Sequence, residues 1–307
     1  MTTLFRSEAG RRLVHERYRS FLRSSPVRHE ERRIPTCQGE TFVLSYGPEH
    51  APPVVLFHGG GVNSSMWLRN LPAWGAHFRI YAVDIIGEPG FSAPSRPAMT
   101  TDDHARWLDD VWNALSITQA HVLGASMGGW MALDYAIRRQ AKVRSLVLLA
   151  PGGIGRLRLG RLALLLPLLL FGSWGRRTFL QQLMGFDPQE ARSPLGQEFI
   201  AFCELVLQHF VFRSEPIPLF SDDALRTLTM PVMVVLAGRD GAIDTQHTRR
   251  RLAAFVPHAR IHYLPDAGHA LTDQTDTVLE FLRTVEAHGS SRREGDTLAA
   301  IVPSNAS

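Results

Sequence analysis

An α/β architecture is predicted, with a mostly parallel central sheet and helices on both of its faces. Short continuous apolar runs recur along the chain, each bounded by turn residues, as strands buried on both faces require. Runs with helical spacing alternate with them. One apolar run, His121-Val122-Leu123, passes through Gly124-Ala125-Ser126-Met127-Gly128-Gly129 straight into an amphipathic stretch holding Met131, Leu133 and Ala136.

At 307 residues the chain has room for one large α/β domain with an insertion, or for two domains. Its 45% hydrophobic and 20% charged residues describe a soluble globular protein. A formal charge of +4 is small for this length and does not argue for nucleic acid. Lys142 is the only lysine and the remaining basic residues are arginine, which reads as codon bias rather than chemistry. Cys37 and Cys203 are far apart and in no metal spacing, so neither a disulfide framework nor a zinc site is indicated. No metal or organic cofactor is indicated either. The Arg-rich N-terminus carries Glu8 and Glu16 and lacks the apolar run of a secretory signal, so a cytoplasmic location is expected. Asn63-Ser64-Ser65 then matches a glycosylation sequon by chance. Oligomeric state is not legible.

Taken in order, residues 7–22 form an amphipathic helix. Leu13, Val14, Tyr18, Phe21 and Leu22 share one face, and Arg11, Arg12, Glu16 and Arg19 largely cover the other. The basic stretch from Arg6 to Arg33 could meet an anionic surface, but a solvated helix packed on the main domain is preferred. Thr41 to Tyr46 is a strand, followed by a turn from Gly47-Pro48 to Pro52-Pro53. Val54 to Phe57 is a buried strand ending in His58-Gly59-Gly60-Gly61. Arg79 to Asp84 is another, ending in a loop with Gly87, Pro89 and Gly90. Thr101 to Leu115 is a helix with Trp107, Leu108, Val111, Trp112 and Leu115 on one face, started by Thr100 and Asp103 as a cap. Further buried strands follow at Val143 to Ala150, at Val232 to Ala237 behind Pro231, and at Arg260 to Leu264. A last helix runs from about Thr272 to Val285, with Val278, Leu279, Leu282 and Val285 facing inward.

The alternation breaks between Pro151 and Asp222, where nothing reads as a buried strand. The expected organisation is a core of residues 1–151 and 223–288, a helical cap of 152–222 and a disordered tail of 289–307. Within the cap, the apolar run Leu162 to Phe171 is interrupted by Pro167 and flanked by Arg156, Arg158, Arg161, Arg176 and Arg177. It is too short to span a bilayer, which needs about 20 residues. A lid whose apolar face covers a substrate pocket is the preferred reading, and membrane association is the alternative, not favoured.

The chemistry begins at Ser126. A strand turning directly into a helix strains the residue at the turn, and the residues two before and two after it must be small. Gly124 and Gly128 satisfy that pattern and leave the Ser126 hydroxyl at a helix N-terminus, where backbone N–H groups favour developing negative charge. Cleavage of an acyl bond by serine also needs a base, a group to orient the base, and donors for the oxyanion. The N–H of Met127, directly after the serine, is one expected donor. The second is expected from His58-Gly59-Gly60-Gly61, with Gly60 preferred and Gly61 next; His58 itself is read as a structural hydrogen-bonder. His269, in Asp266-Ala267-Gly268-His269-Ala270 after the last strand, is the expected base. Asp240, at the end of the preceding strand, is the expected orienting acid, with Asp244 as the alternative.

With Ser126, Asp240 and His269 in that chain order, the sequence resembles the α/β-hydrolase superfamily, in particular its carboxylesterase-like members with a helical cap. The resemblance spans roughly residues 40–285 and rests on His58-Gly59-Gly60-Gly61, Gly124-Ala125-Ser126-Met127-Gly128-Gly129, Asp240 and Asp266-Ala267-Gly268-His269. Serine at the turn argues against the dehalogenase and epoxide hydrolase branches, which use aspartate there. Two departures stand out. Asp84-Ile85-Ile86-Gly87-Glu88-Pro89-Gly90-Phe91-Ser92 is one residue longer than the corresponding loop of many relatives. Ala237, three residues before Asp240, replaces the usual glycine. The resemblance implies a serine hydrolase cleaving a carboxylic ester of a small, largely apolar substrate through an acyl-enzyme. The leucines of the cap and Phe171 suggest the apolar acyl or alcohol group. Alternatives on the same fold are a thioesterase, a carbon–carbon bond hydrolase, or a non-catalytic ligand-binding protein.

Overall fold

The computed structural model describes residues 4–271 and 273–299, with side chains through His288. Ser7 caps the first helix, α1 (Glu8–Arg23), by accepting the Gly10 N–H at 3.1 Å. Val14, Tyr18 and Leu22 of its apolar face are buried. Leu13 lies at the margin of that face and remains 47% exposed. A hairpin of β1 (Glu30–Thr36) and β2 (Gly39–Tyr46) follows. β1 has no counterpart in the sequence reading, because it is an edge strand with only Ile34 buried. Its charged residues face water and discourage pairing with another chain.

The chain then alternates through β3 (Pro53–Phe57), α2 (Leu71–Gly75), β4 (Arg79–Val83), α3 (Asp103–Ala114), β5 (Ala120–Ala125), α4 (Met127–Arg138) and β6 (Val143–Leu149), as expected apart from the short α2, which has no counterpart in the sequence reading. The cap expected from Thr100 and Asp103 does not form: Asp102 occupies the N-cap of α3, and Thr101 Oγ1 donates to Asp103 Oδ2 at 2.8 Å. After β6 come α5 (Leu159–Leu165), α6 (Gly172–Met184), α7 (Pro188–Arg192), α8 (Pro194–His209) and α9 (Asp222–Arg226). The core resumes with β7 (Val232–Ala237), α10 (Thr245–Phe255), β8 (Arg260–Leu264) and α11 (Thr275–Ala299). α11 continues past Val285 and through residues 289–299, which had been expected to be disordered; once a helix is nucleated, each added residue gains one hydrogen bond. Residues 300–307 of that expected tail, and Thr272, lie outside the described residues.

The sheet order is β1-β2-β4-β3-β5-β6-β7-β8. β2 pairs antiparallel with β1 and β4, and every other pair is parallel. Side chains of the central strands alternate between two cores. Val55 and Phe57 of β3 join Trp107 and Trp112 of α3 and Tyr135 of α4, whereas Val54 and Leu56 join Tyr18 of α1, Trp74 of α2 and Leu282 of α11. Burial on both faces explains why these strands read as unbroken apolar runs.

The inserted helices have a third core, in which Leu165, Phe179, Phe202 and Phe210 pack with Leu4, Val14 and Val62. The Leu162 to Phe171 run is not one helix. α5 gives way to a 3-10 turn at Leu166–Leu170, where Pro167 cannot continue the α-helical bonding. Leu164 is 78% exposed, Leu170 85% and Phe171 63%. Among the described residues no helix is long and apolar enough to cross a membrane.

Candidate active site

Ser126 is the single residue between β5 and α4, and it holds φ 53 and ψ −113. A positive φ is uncommon for a residue with a Cβ and costs free energy that the surroundings must offset. Here the Ser126 N–H donates to Leu149 O at 2.9 Å, while its own carbonyl accepts from Trp130 at 3.1 Å and Gly152 at 2.9 Å. The flanking glycines make the turn sterically accessible. A Cβ on Gly124 would lie 2.1 Å from Gly128 O, and one on Gly128 would lie 2.3 Å from Phe57 O.

His269 follows β8 and is 7% exposed. Its Nε2 lies 2.9 Å from Ser126 Oγ and its Nδ1 2.8 Å from Asp240 Oδ2. An ionised carboxylate can only accept, so the ring carries its proton on Nδ1 and offers Nε2 to the serine hydroxyl. The loop bearing it abuts the inserted helices. Ala270 N–H donates to Met184 O at 2.8 Å, and a Cβ on Gly268 would meet Gly185 O at 2.1 Å.

Asp240 is 2% exposed and follows β7. The N–H groups of Ala242 and Ile243 donate to its Oδ1 at 2.7 and 2.8 Å, which aims Oδ2 at the imidazole. Asp244 sits elsewhere in function: it caps α10 by accepting the His247 N–H at 3.0 Å, and that bond lowers its pKa. The structure therefore brings together Ser126, His269 and Asp240, and leaves Asp244 out.

The glycine loop after β3 lies beside the serine. A Cβ on Gly60 would sit 3.6 Å from the Met127 side chain, and one on Gly59 would be 3.8 Å from Ser126 Cβ. Met127 opens α4, where a backbone N–H has no intrahelical acceptor. Among the described residues the Gly60 N–H has no acceptor. Gly61, the second choice from sequence, is turned away and donates to Glu88 Oε2 at 2.7 Å. His58 is fully buried: it hydrogen-bonds Gly59 O through Nδ1 at 2.8 Å and accepts the Ile85 N–H on Nε2 at 2.9 Å. Burial lowers its pKa, which keeps it a neutral brace between two loops. Asp84 ties the same region together, accepting from Tyr18 Oη at 3.0 Å, Ser64 N–H at 2.9 Å and Phe91 N–H at 2.8 Å.

Ser126 and His269 open into a cavity of about 540 Å³, a size suited to a small organic ligand. Its wall is largely apolar, with Met66, Leu183, Phe186, Phe199, Ile200 and Phe212 among the lining residues. The origin of that wall differs from the expectation. The end of α6, the stretch from Phe186 through α8 and the neighbouring Met66 and Phe212 supply it, and no residue of the Leu162 to Phe171 run lines it. Helical periodicity indicates that a face is apolar but not which neighbour it meets. The sequence reading also missed Glu88, a cavity residue only 3% exposed whose pKa burial pushes up to about 7. The available signal was its place in the lengthened loop after β4.

A sequence model of the α/β hydrolase fold family matches residues 52–274. The uncharacterized carboxylesterase nap of Bacillus subtilis is 31% identical over 278 residues, covering 86% of this chain and 88% of that one. Carboxylesterase YbfK of the same organism is 28% identical over 268 residues, covering 86% and 90%. The crystal structure of naproxen esterase (carboxylesterase NP) from Bacillus subtilis superposes with a TM-score of 0.76 at 30% identity, covering 88% of this chain and 95% of that one. The matched segment runs from the start of β3 to beyond His269 and so takes in the parallel strands and the hydrogen-bonded triad they carry; the chain belongs to the α/β hydrolase fold family.

Proposed function

We propose that the protein is a serine carboxylic ester hydrolase that acts on a small, largely apolar ester through an acyl-enzyme. The observation that carries this reading is the unbroken hydrogen-bond chain from Ser126 Oγ to His269 to Asp240, at 2.9 and 2.8 Å, beside an apolar cavity. His269 takes the hydroxyl proton as Ser126 Oγ attacks the acyl carbon. Asp240 keeps the ring in the required tautomer and stabilises the imidazolium. The N–H groups of Met127 and Gly60 receive the oxyanion, and losing one such donor costs about 3 kcal/mol of transition-state stabilisation. The tetrahedral intermediate collapses as His269 protonates the leaving alcohol. A water molecule deprotonated by His269 then attacks the acyl-enzyme, and the acid departs with Ser126 restored.

The helices between β6 and β7 are read as a lid over the acyl group, because Leu183, Phe186 and Phe199 of that segment line the cavity.

Hydrolysis of nitrophenyl esters of increasing acyl length, with Ser126→Ala alongside, tests the reading. Turnover in the parent that disappears in the variant is expected. A folded parent that cleaves vinylogous diketones but no ester would replace it with carbon–carbon bond hydrolysis.

A further inference from the structure

One buried acid of the cavity has no part in the triad. Glu88, on the loop after β4, lines the cavity together with Gly60 and Ser126. Its Oε2 accepts the Gly61 N–H at 2.7 Å. Gly61 itself has φ +73, and a Cβ there would lie 2.6 Å from Cε1 of Phe212. The peptide that joins Gly60 to Gly61 is thus gripped by a carboxyl and closed over by a ring. Consecutive glycines have no side chains to fix their backbone, whereas an oxyanion donor stabilises a transition state only if it is already oriented. We propose that Glu88 is a positioning residue of the oxyanion loop: by holding the Gly60–Gly61 peptide through the Gly61 N–H, it keeps the Gly60 N–H turned toward the carbonyl under attack at Ser126. The assignment rests on the esterase reading above.

The strength of this hold depends on charge, because an ionised acceptor binds an N–H more tightly than a neutral one. Burial favours the neutral acid and outweighs the Gly61 bond and the two cations near it, Arg96 and Arg213, leaving the pKa at about 7. Those cations are themselves fixed. Arg96 donates to Gly87 O at 3.0 Å and Val211 O at 2.6 Å. Arg213 donates to Pro97 O at 3.1 Å and pairs with Glu215 at 3.6 Å. His104 of α3 also feels Arg213, but burial holds it down at about 4, so it stays neutral where Glu88 titrates. His269 shares the cavity and is unchanged in the variants. Below about pH 7 the Glu88 carboxyl is neutral and its grip on Gly61 weakens. The acidic limb of the rate profile therefore includes the ionisation of Glu88.

The test compares parent, Glu88→Gln and Arg213→Gln between pH 5 and 9. Two readouts are taken, kcat on a nitrophenyl ester and the rate at which a fluorophosphonate phosphonylates Ser126, forming the Oγ–P bond and releasing fluoride. Glu88→Gln is expected to lower both rates about tenfold at pH 8.5 with little change in KM, less than complete loss of an oxyanion donor. It should also remove one ionisation from the acidic limb. Arg213→Gln keeps the carboxyl and should move that ionisation to higher pH; it decides the matter if Glu88→Gln does not fold. A parent labelled at Ser126, with rates and pH profiles unchanged in the variants, overturns the role of Glu88 alone. A folded parent not labelled at Ser126 overturns the esterase reading beneath it.

Discussion

Ser126 adopts a backbone conformation that its own chemistry disfavours, and the residues around it exist to permit it. Gly128 approaches the Phe57 and His58 carbonyls too closely for any side chain. Gly128→Ala is therefore expected to destabilise the fold by about 3 kcal/mol, read as a lower urea midpoint, with esterase activity lost in whatever remains folded. Asp240 and Asp244 make a sharper comparison. Asp240→Asn leaves a side chain of the same size but offers His269 the wrong hydrogen-bonding group; kcat should fall about 10⁴-fold. Asp244→Asn weakens one helix cap, worth about 1 kcal/mol at most, and should leave kcat within twofold. Equal losses in the two variants would contradict the assignment of Asp240. Their order along the chain left both aspartates eligible. Only the folded loop shows that two backbone N–H groups take Oδ1 of Asp240 and turn Oδ2 to the ring.

At the scale of elements, the loops after β3, β5, β7 and β8 deliver the glycine loop, Ser126, Asp240 and His269 to one end of a parallel sheet, where α/β proteins place their ligands. Although β8 is a sheet edge with no buried residue, β3, β5 and β7 were legible because each is buried on both faces, which writes an apolar run into the sequence. β1 was not, since one buried Ile34 among charged residues leaves no pattern. The inserted helices were legible as helices but not in orientation. The conspicuous leucine run splits between an outward face at Leu164, Leu170 and Phe171 and the third core at Leu165, and the quieter α8 lines the cavity. Phe199→Ala should accordingly shift the preferred nitrophenyl ester toward longer acyl chains, while Leu170→Asp, on an 85% exposed residue, should leave the chain-length profile unchanged. The reverse pattern would place the acyl group under the leucine run. Glu88 was illegible for a related reason: a carboxylate in a loop reads as solvated until the fold buries it.

For the molecule as a whole, buried histidines set the response to acid. Burial holds His15 and His104 down at about 4 and also lowers His121. Unfolding returns each to an ordinary value of about 6.5, so below that pH the unfolded chain binds more protons than the folded one. Stability is then full above about pH 6.5 and declines toward pH 4, by up to about 1.4 kcal/mol per pH unit for each of His15 and His104, with His121 acting in the same direction. Glu88 works in the opposite sense, because a raised carboxyl pKa adds stability as pH falls through about 7, and it offsets part of the decline. Urea midpoints at pH 7.5 and 5 should differ accordingly, and His104→Gln should narrow the gap; equal midpoints would contradict the neutral state of these rings. The central claim concerns a covalent bond to one oxygen, so its most direct test is to find that bond. Rapid acid quenching of the protein during turnover of a nitrophenyl ester, followed by intact and peptide mass spectrometry, should reveal one acyl group per chain on the peptide holding Ser126 and none in Ser126→Ala. Turnover with no adduct, or an adduct on another residue, would contradict the account.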